Sequence, residues 1–131
     1  MSRRILIVDD EPSIVTLLEF LMRGSDYEVR VARDGEEALR GAESFRPDLV
    51  LLDVMMPQRS GFEVCQKIRE NPAFRGMKIV MLTAKGRDLE KHRGLDLGAN
   101  AYVTKPFSTK ELMSTVRGLL HTADEPDTVR R

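Results

Sequence analysis

Four clusters in this chain hold the side chains best suited to chemistry: Asp9-Asp10-Glu11, Asp53, Thr83 and Lys105-Pro106. Each stands at the end of an apolar, β-rich run. Any one of them alone is bland. An acidic pair ahead of a helix complements its dipole, and a Lys-Pro step is commonly a solvated turn. Their shared position at strand ends is what points to a site. Carboxylates brought as close together as Asp9, Asp10 and Asp53 would repel one another, so the site calls for a hard cation. Mg²⁺ fits best, because it takes oxygen ligands and keeps several of its waters instead of requiring a full protein cage.

The elements that must position these groups alternate along the chain. Strands are expected over residues 5–8, 27–32, 49–52, 79–82 and 101–104. The first, third and fourth are continuously apolar, as suits parallel strands covered on both faces. The second alternates Tyr27, Val29 and Val31 with Glu28 and Arg30, the pattern of an edge strand. Five helices are expected between and after them. Pro12 opens the first, a residue suited to a first helical position, with Ile14, Val15, Leu18 and Leu21 on one face. Asp34 with Glu37, and Ser108 with Glu111, have capping-box spacing and start helices near Gly35 and Thr109. Residues 61–70 carry Phe62, Cys65 and Ile68 at helical spacing, and Pro72 ends that helix. Residues 88–97 form the most polar helix, with Gly98 as its stop. Five strand–helix repeats joined by short loops imply an α/β fold, a doubly wound parallel sheet with helices on both faces. Ligands of such sheets bind beyond the carboxyl ends of the strands, where the strand order reverses.

Composition narrows the function classes. With 131 residues the chain is expected to be one domain, and 21 basic against 21 acidic residues give no net charge. That balance argues against general binding to nucleic acid or an anionic membrane. Apolar runs of about four residues are too short for a spanning helix or a signal-peptide core. A single cysteine, Cys65, excludes an internal disulfide and suits a reducing compartment, so a cytoplasmic location is expected. Cys65 lies on its helix's apolar stripe and reads as core. His92 and His121 suggest no metal site.

Spacing and strand placement together resemble a response-regulator receiver domain, the phosphoacceptor half of two-component signalling. The resemblance runs approximately over residues 4–120. It rests on the acidic pair after the first strand, Asp53 with Pro57 and Gly61 following, Thr83-Ala84, and Tyr102-Val103-Thr104-Lys105-Pro106-Phe107. It implies a flavodoxin-like receiver fold with strand order 2-1-3-4-5. It also implies that Asp53 is the phosphoacceptor, serving a sensor histidine kinase or histidine phosphotransfer protein. Asp10 and Asp53 would bind Mg²⁺ directly and Asp9 through water, with the Met55 main-chain carbonyl completing the protein ligands. Lys105 would pair with the phosphoryl oxygens and Thr83 would donate to one of them. Thr83 and Tyr102 would form the switch, remodelling the face of the fourth helix, fifth strand and fifth helix for an unknown protein target. Family members hold the Lys-Pro peptide cis. Met55, two residues after the acceptor, and Lys85, two after Thr83, are expected to slow self-dephosphorylation, so no turnover of a conventional enzyme is expected.

Residues 1–121 are expected to be the receiver and 122–131 a short polar tail. A stand-alone receiver is expected, the second choice being a receiver segment of a longer transcriptional or enzymatic regulator. The family's commonest DNA-binding members dimerise through an acidic pair and an arginine at positions that are Asn100-Ala101 and Thr115 here. A monomer or a phosphorylation-dependent dimer is therefore expected. Other readings fit less well. A flavodoxin-like electron carrier would cradle a phosphate where Asp9-Asp10-Glu11 repels one. A haloacid-dehalogenase-type phosphatase needs an acid two positions after the nucleophile, where this chain has Met55. A phosphate-independent scaffold would not need Asp53, Thr83 and Lys105.

Overall fold

The computed structural model describes residues 3–56, 60–84 and 88–121, with the backbone alone at Asp88. Pro57, Lys85 and the expected tail at 122–131 lie outside the described residues. The strands are β1 Arg4–Val8, β2 Glu28–Ala32, β3 Leu49–Asp53, β4 Lys78–Ala84 and β5 Ala101–Lys105. The helices are α1 Pro12–Gly24, α2 Gly35–Phe45, α3 Gly61–Glu70, α4 Asp88–Asp96 and α5 Thr109–His121, with a 3₁₀ turn at Pro72–Phe74.

All pairings are parallel and the order is β2-β1-β3-β4-β5, the doubly wound arrangement expected. The alternating strand does stand at one edge. Apolar strand residues divide between two cores. Leu6, Val8, Val50, Leu52, Ile79 and Met81 pack with Ala38, Ala42, Val64, Cys65 and Ile68 of α2 and α3. Ile5, Ile7, Leu49, Leu51, Val80 and Leu82 pack on the opposite face with Leu18 and Met22 of α1 and Leu112 and Val116 of α5. Burial on both faces is why three strands read as unbroken apolar runs. Among the described residues no helix is long and apolar enough to cross a membrane.

Local signals set the helix ends. Pro12 starts α1. The Asp34 side chain accepts from the Glu37 amide, while the Glu37 carboxylate accepts from the amide of Arg33, one residue before the cap. Ser60 and Glu63 complete a reciprocal box at α3, a spacing the sequence carries in plain view. Helix α4 ends at Asp96, one residue earlier than expected, and Gly98 follows at φ 111°. Three strands extend further than expected at their carboxyl ends. The ladder continues through Asp53 opposite Leu82, Thr83 opposite Thr104 and Ala84 opposite Lys105. The polar residues placed after the strands are therefore partly inside them, held by the sheet's own hydrogen bonding.

Candidate functional site

Because β1 and β3 are neighbours in the middle of the sheet, the segments leaving them lie side by side. The ladder carries one residue past β1, where the Asp9 amide donates to Ala32 O at 3.1 Å. That bond fixes Asp9 while its side chain is fully buried. Its Oδ1 accepts from the Glu11 amide at 3.0 Å and its Oδ2 accepts from Lys105 Nζ at 2.9 Å. Asp10 is exposed beside it. Asp53, the last residue of β3, is 6% exposed. Its Oδ1 accepts from the Met55 amide at 3.3 Å and lies 3.4 Å from Lys105 Nζ.

Carboxylate oxygens of Asp9, Asp10 and Asp53 all lie within 4.8 Å of one another. Glu11 turns away, with its carboxylate accepting from the Ser13 hydroxyl at 3.3 Å. Close packing behind the cluster comes from Gly61, where a Cβ would collide with the carbonyl oxygen of Asp53. The turn from β3 into α3 therefore needs a residue without a side chain.

Among the described residues the Lys105 ammonium pairs with two of these three carboxylates, Asp9 and Asp53. Burial and the neighbouring Asp9 charge push the Asp53 carboxyl up to about 6, against the pull of Lys105 and the Met55 amide. Burial works to lower the Lys105 ammonium, but its hydrogen bond to Asp9 and the Asp53 charge outweigh that and raise it. The donor set is hard oxygen with an excess of negative charge, which fits a small divalent cation such as Mg²⁺. Thr83 is buried at the end of β4, and its hydroxyl oxygen has no hydrogen-bond partner among the described residues. The Lys105–Pro106 peptide is cis.

The remaining expected residues fall around this centre. Tyr102 is 40% exposed on β5, with Lys91 Nζ 4.9 Å from its ring centroid. Met55 is 64% exposed beside Asp53, while Met56 packs against the α2–α3 core. Asn100 has a use of its own. Its Oδ1 accepts from the Ile79 amide and from Arg69 at 2.8 Å each, tying the start of β5 to β4 and α3. Cys65 is buried, its thiol 3.7 Å from Leu97 O and its pKa raised by burial. Sequence reasoning missed the Lys105–Asp9 bond and the Lys91 contact, since each joins elements distant in the chain.

The response regulator receiver domain family matches residues 5–117. The alkaline phosphatase synthesis transcriptional regulatory protein PhoP of Bacillus subtilis (strain 168) is 48% identical over 124 residues, 95% of this chain and 51% of that protein. The chain thus spans about half the length of this curated relative. Chemotaxis response regulator CheY4 of Vibrio cholerae superposes with a TM-score of 0.86 at 33% identity, over 92% of this chain and 100% of that one. The receiver domain of sensor histidine kinase PA1611 from Pseudomonas aeruginosa PAO1, solved with a magnesium ion coordinated in its active site cleft, gives 0.84 at 32% identity, over 92% and 98%. With a family match over most of its length and an acidic triad at the strand ends, this chain belongs to the response regulator receiver domain family, phosphoacceptor signalling modules rather than conventional enzymes.

Proposed function

We propose that the chain accepts a phosphoryl group on Asp53 from the phosphohistidine of a sensor histidine kinase or histidine phosphotransfer protein. The observation that carries this reading is a buried carboxylate at the end of β3 that shares Lys105 with Asp9 and lies within 4.8 Å of two further carboxylates. In the transfer an Asp53 carboxylate oxygen attacks phosphorus and forms the P–O bond. The P–N bond breaks, and the imidazole nitrogen leaves with its electron pair and takes up a proton. Such a transfer needs alignment and charge stabilisation more than covalent help. Asp10 and Asp53 would hold Mg²⁺ directly, Asp9 through water and Met55 by its main-chain carbonyl. The relative solved with magnesium in its cleft supports that assignment. The bound ion would neutralise charge on the phosphoryl oxygens.

Lys105 moves from carboxylate partner to phosphoryl partner in this reading, and Thr83 donates its hydroxyl to the new oxygens. Phosphorylation adds about −1.5 to −2 of charge. Thr83 drawn inward opens space for Tyr102, so the face of α4, β5 and α5 changes shape for a protein target. Residues 1–121 act as the receiver, and the phosphoryl group is lost slowly.

Incubation with acetyl phosphate and Mg²⁺, followed by intact-mass measurement, tests the assignment. One phosphoryl group should be added, none with a chelator and none in Asp53→Asn. The same gain at the same rate in Asp53→Asn would refute it.

A further inference from the structure

Helix α4 is attached unlike its neighbours. Among its described residues only Gly94 is buried, set against Met81, whose Cγ would lie 3.2 Å from a Cβ there. Leu89 and Leu95 face outward at 85% and 42% exposure. Two of its contacts set cations over aromatic rings. The Arg93 guanidinium lies 4.4 Å from the ring centroid of buried Phe62 on α3, and the Lys91 ammonium 4.9 Å from that of Tyr102 on β5.

The second contact bears on the switch. Tyr102 is level with Met81 in the β4–β5 register and Thr104 with Thr83. Side chains at paired positions point to the same side of a sheet, and those two apart along a strand do too. Tyr102, Met81 and Thr83 therefore share the side on which α4 lies. The Lys91 ammonium thus meets the ring in its present, half-exposed place.

We infer that Lys91 is a positioning residue that latches Tyr102 in its outward, half-exposed place and so biases this receiver toward its resting state. The inference rests on the Tyr102 switch proposed above. Removing the cation should release the ring, shift the resting equilibrium inward and strengthen binding of a phosphoryl analogue. A cation–π contact at a partly exposed site biases such an equilibrium about two- to fivefold.

The test uses ¹³C-tyrosine-labelled protein, with its two tyrosines assigned by a Tyr27→Phe variant, titrated with beryllofluoride in Mg²⁺. In the wild type, beryllofluoride should move the Tyr102 signal. Without it, Lys91→Met should move that signal part of the way in the same direction, and should tighten beryllofluoride binding about two- to fivefold. Lys91→Arg, which keeps a cation, should restore both readouts. In a Tyr102→Leu background Lys91→Met should change nothing, because the coupling belongs to the pair. A wild-type Tyr102 signal indifferent to beryllofluoride refutes the switch, and the latch with it. A signal that responds, with Lys91→Met matching wild type in both readouts or acting equally without the Tyr102 ring, refutes the latch alone.

Discussion

Replacing Asp53 with Asn should stabilise the metal-free fold at neutral pH by about 3 kcal/mol. Burial first and the Asp9 charge second raise the Asp53 carboxyl from its ordinary 3.8 to about 6, and each pH unit of such a rise is worth about 1.4 kcal/mol. At 6% exposure, solvent screens little of this. The folded protein holds this proton more tightly than the unfolded chain does, so ionising Asp53 opposes folding. The penalty is absent well below pH 3.8, grows between 3.8 and about 6, and is complete above that. Asn is nearly isosteric, keeps an acceptor for the Met55 amide and carries no charge at any pH. The advantage of the variant should therefore shrink from about 3 kcal/mol at pH 7 to about 1 kcal/mol at pH 4.5. Urea denaturation at both values in the presence of a chelator measures it, with midpoints compared at constant slope. Adding Mg²⁺ should narrow the gap at pH 7, because only the wild type keeps the full carboxylate set and gains RT ln(1 + [Mg²⁺]/Kd). A variant no more stable than wild type at pH 7, or a gap that stays constant between the two pH values, would show that Asp53 is not electrostatically strained.

Three further outcomes can be measured. Asp10→Asn should weaken Mg²⁺ binding far more than Glu11→Gln, since Glu11 faces Ser13 and not the triad; equal losses in a titration would place the ion elsewhere. Gly61→Ala should cost about 1–3 kcal/mol in urea melts, the usual range for overpacking, because its methyl would collide with the Asp53 carbonyl, and an unchanged midpoint would mean the α3 turn can yield freely. Replacing Met55, two residues after the acceptor, with Asn, and Lys85, two after Thr83 in sequence, with Gln, should shorten the aspartyl-phosphate lifetime, as a polar side chain able to align the attacking water speeds hydrolysis; unchanged decay after both replacements, at fixed Mg²⁺ and pH, would move control of hydrolysis away from these positions.

Much of this protein follows from its sequence by itself. Unbroken apolar runs marked the central strands, alternation at Tyr27, Val29 and Val31 marked the edge, and Asp34, Ser108 and Gly98 marked helix ends. These signals act within a few residues along the chain, so they survive without knowledge of the fold; the Ser60–Glu63 box was equally legible by that standard. The acidic cluster and Lys105 could be placed at one end of the sheet because a parallel sheet puts every carboxyl end on the same side. Only the tertiary structure decided which of these groups touch. Lys105 reaches back across 96 residues to bond with Asp9, and Asn100, absent from any expected site, ties β5 to β4 and α3. The raised pKa of Asp53 likewise has no local signature, since it comes from the depth of burial and the distance to Asp9. The Lys91–Tyr102 contact depends on how closely α4 sits against β5. Partner choice, desolvation and ring contacts between elements are set by distances through space, and those exist only once the chain has folded.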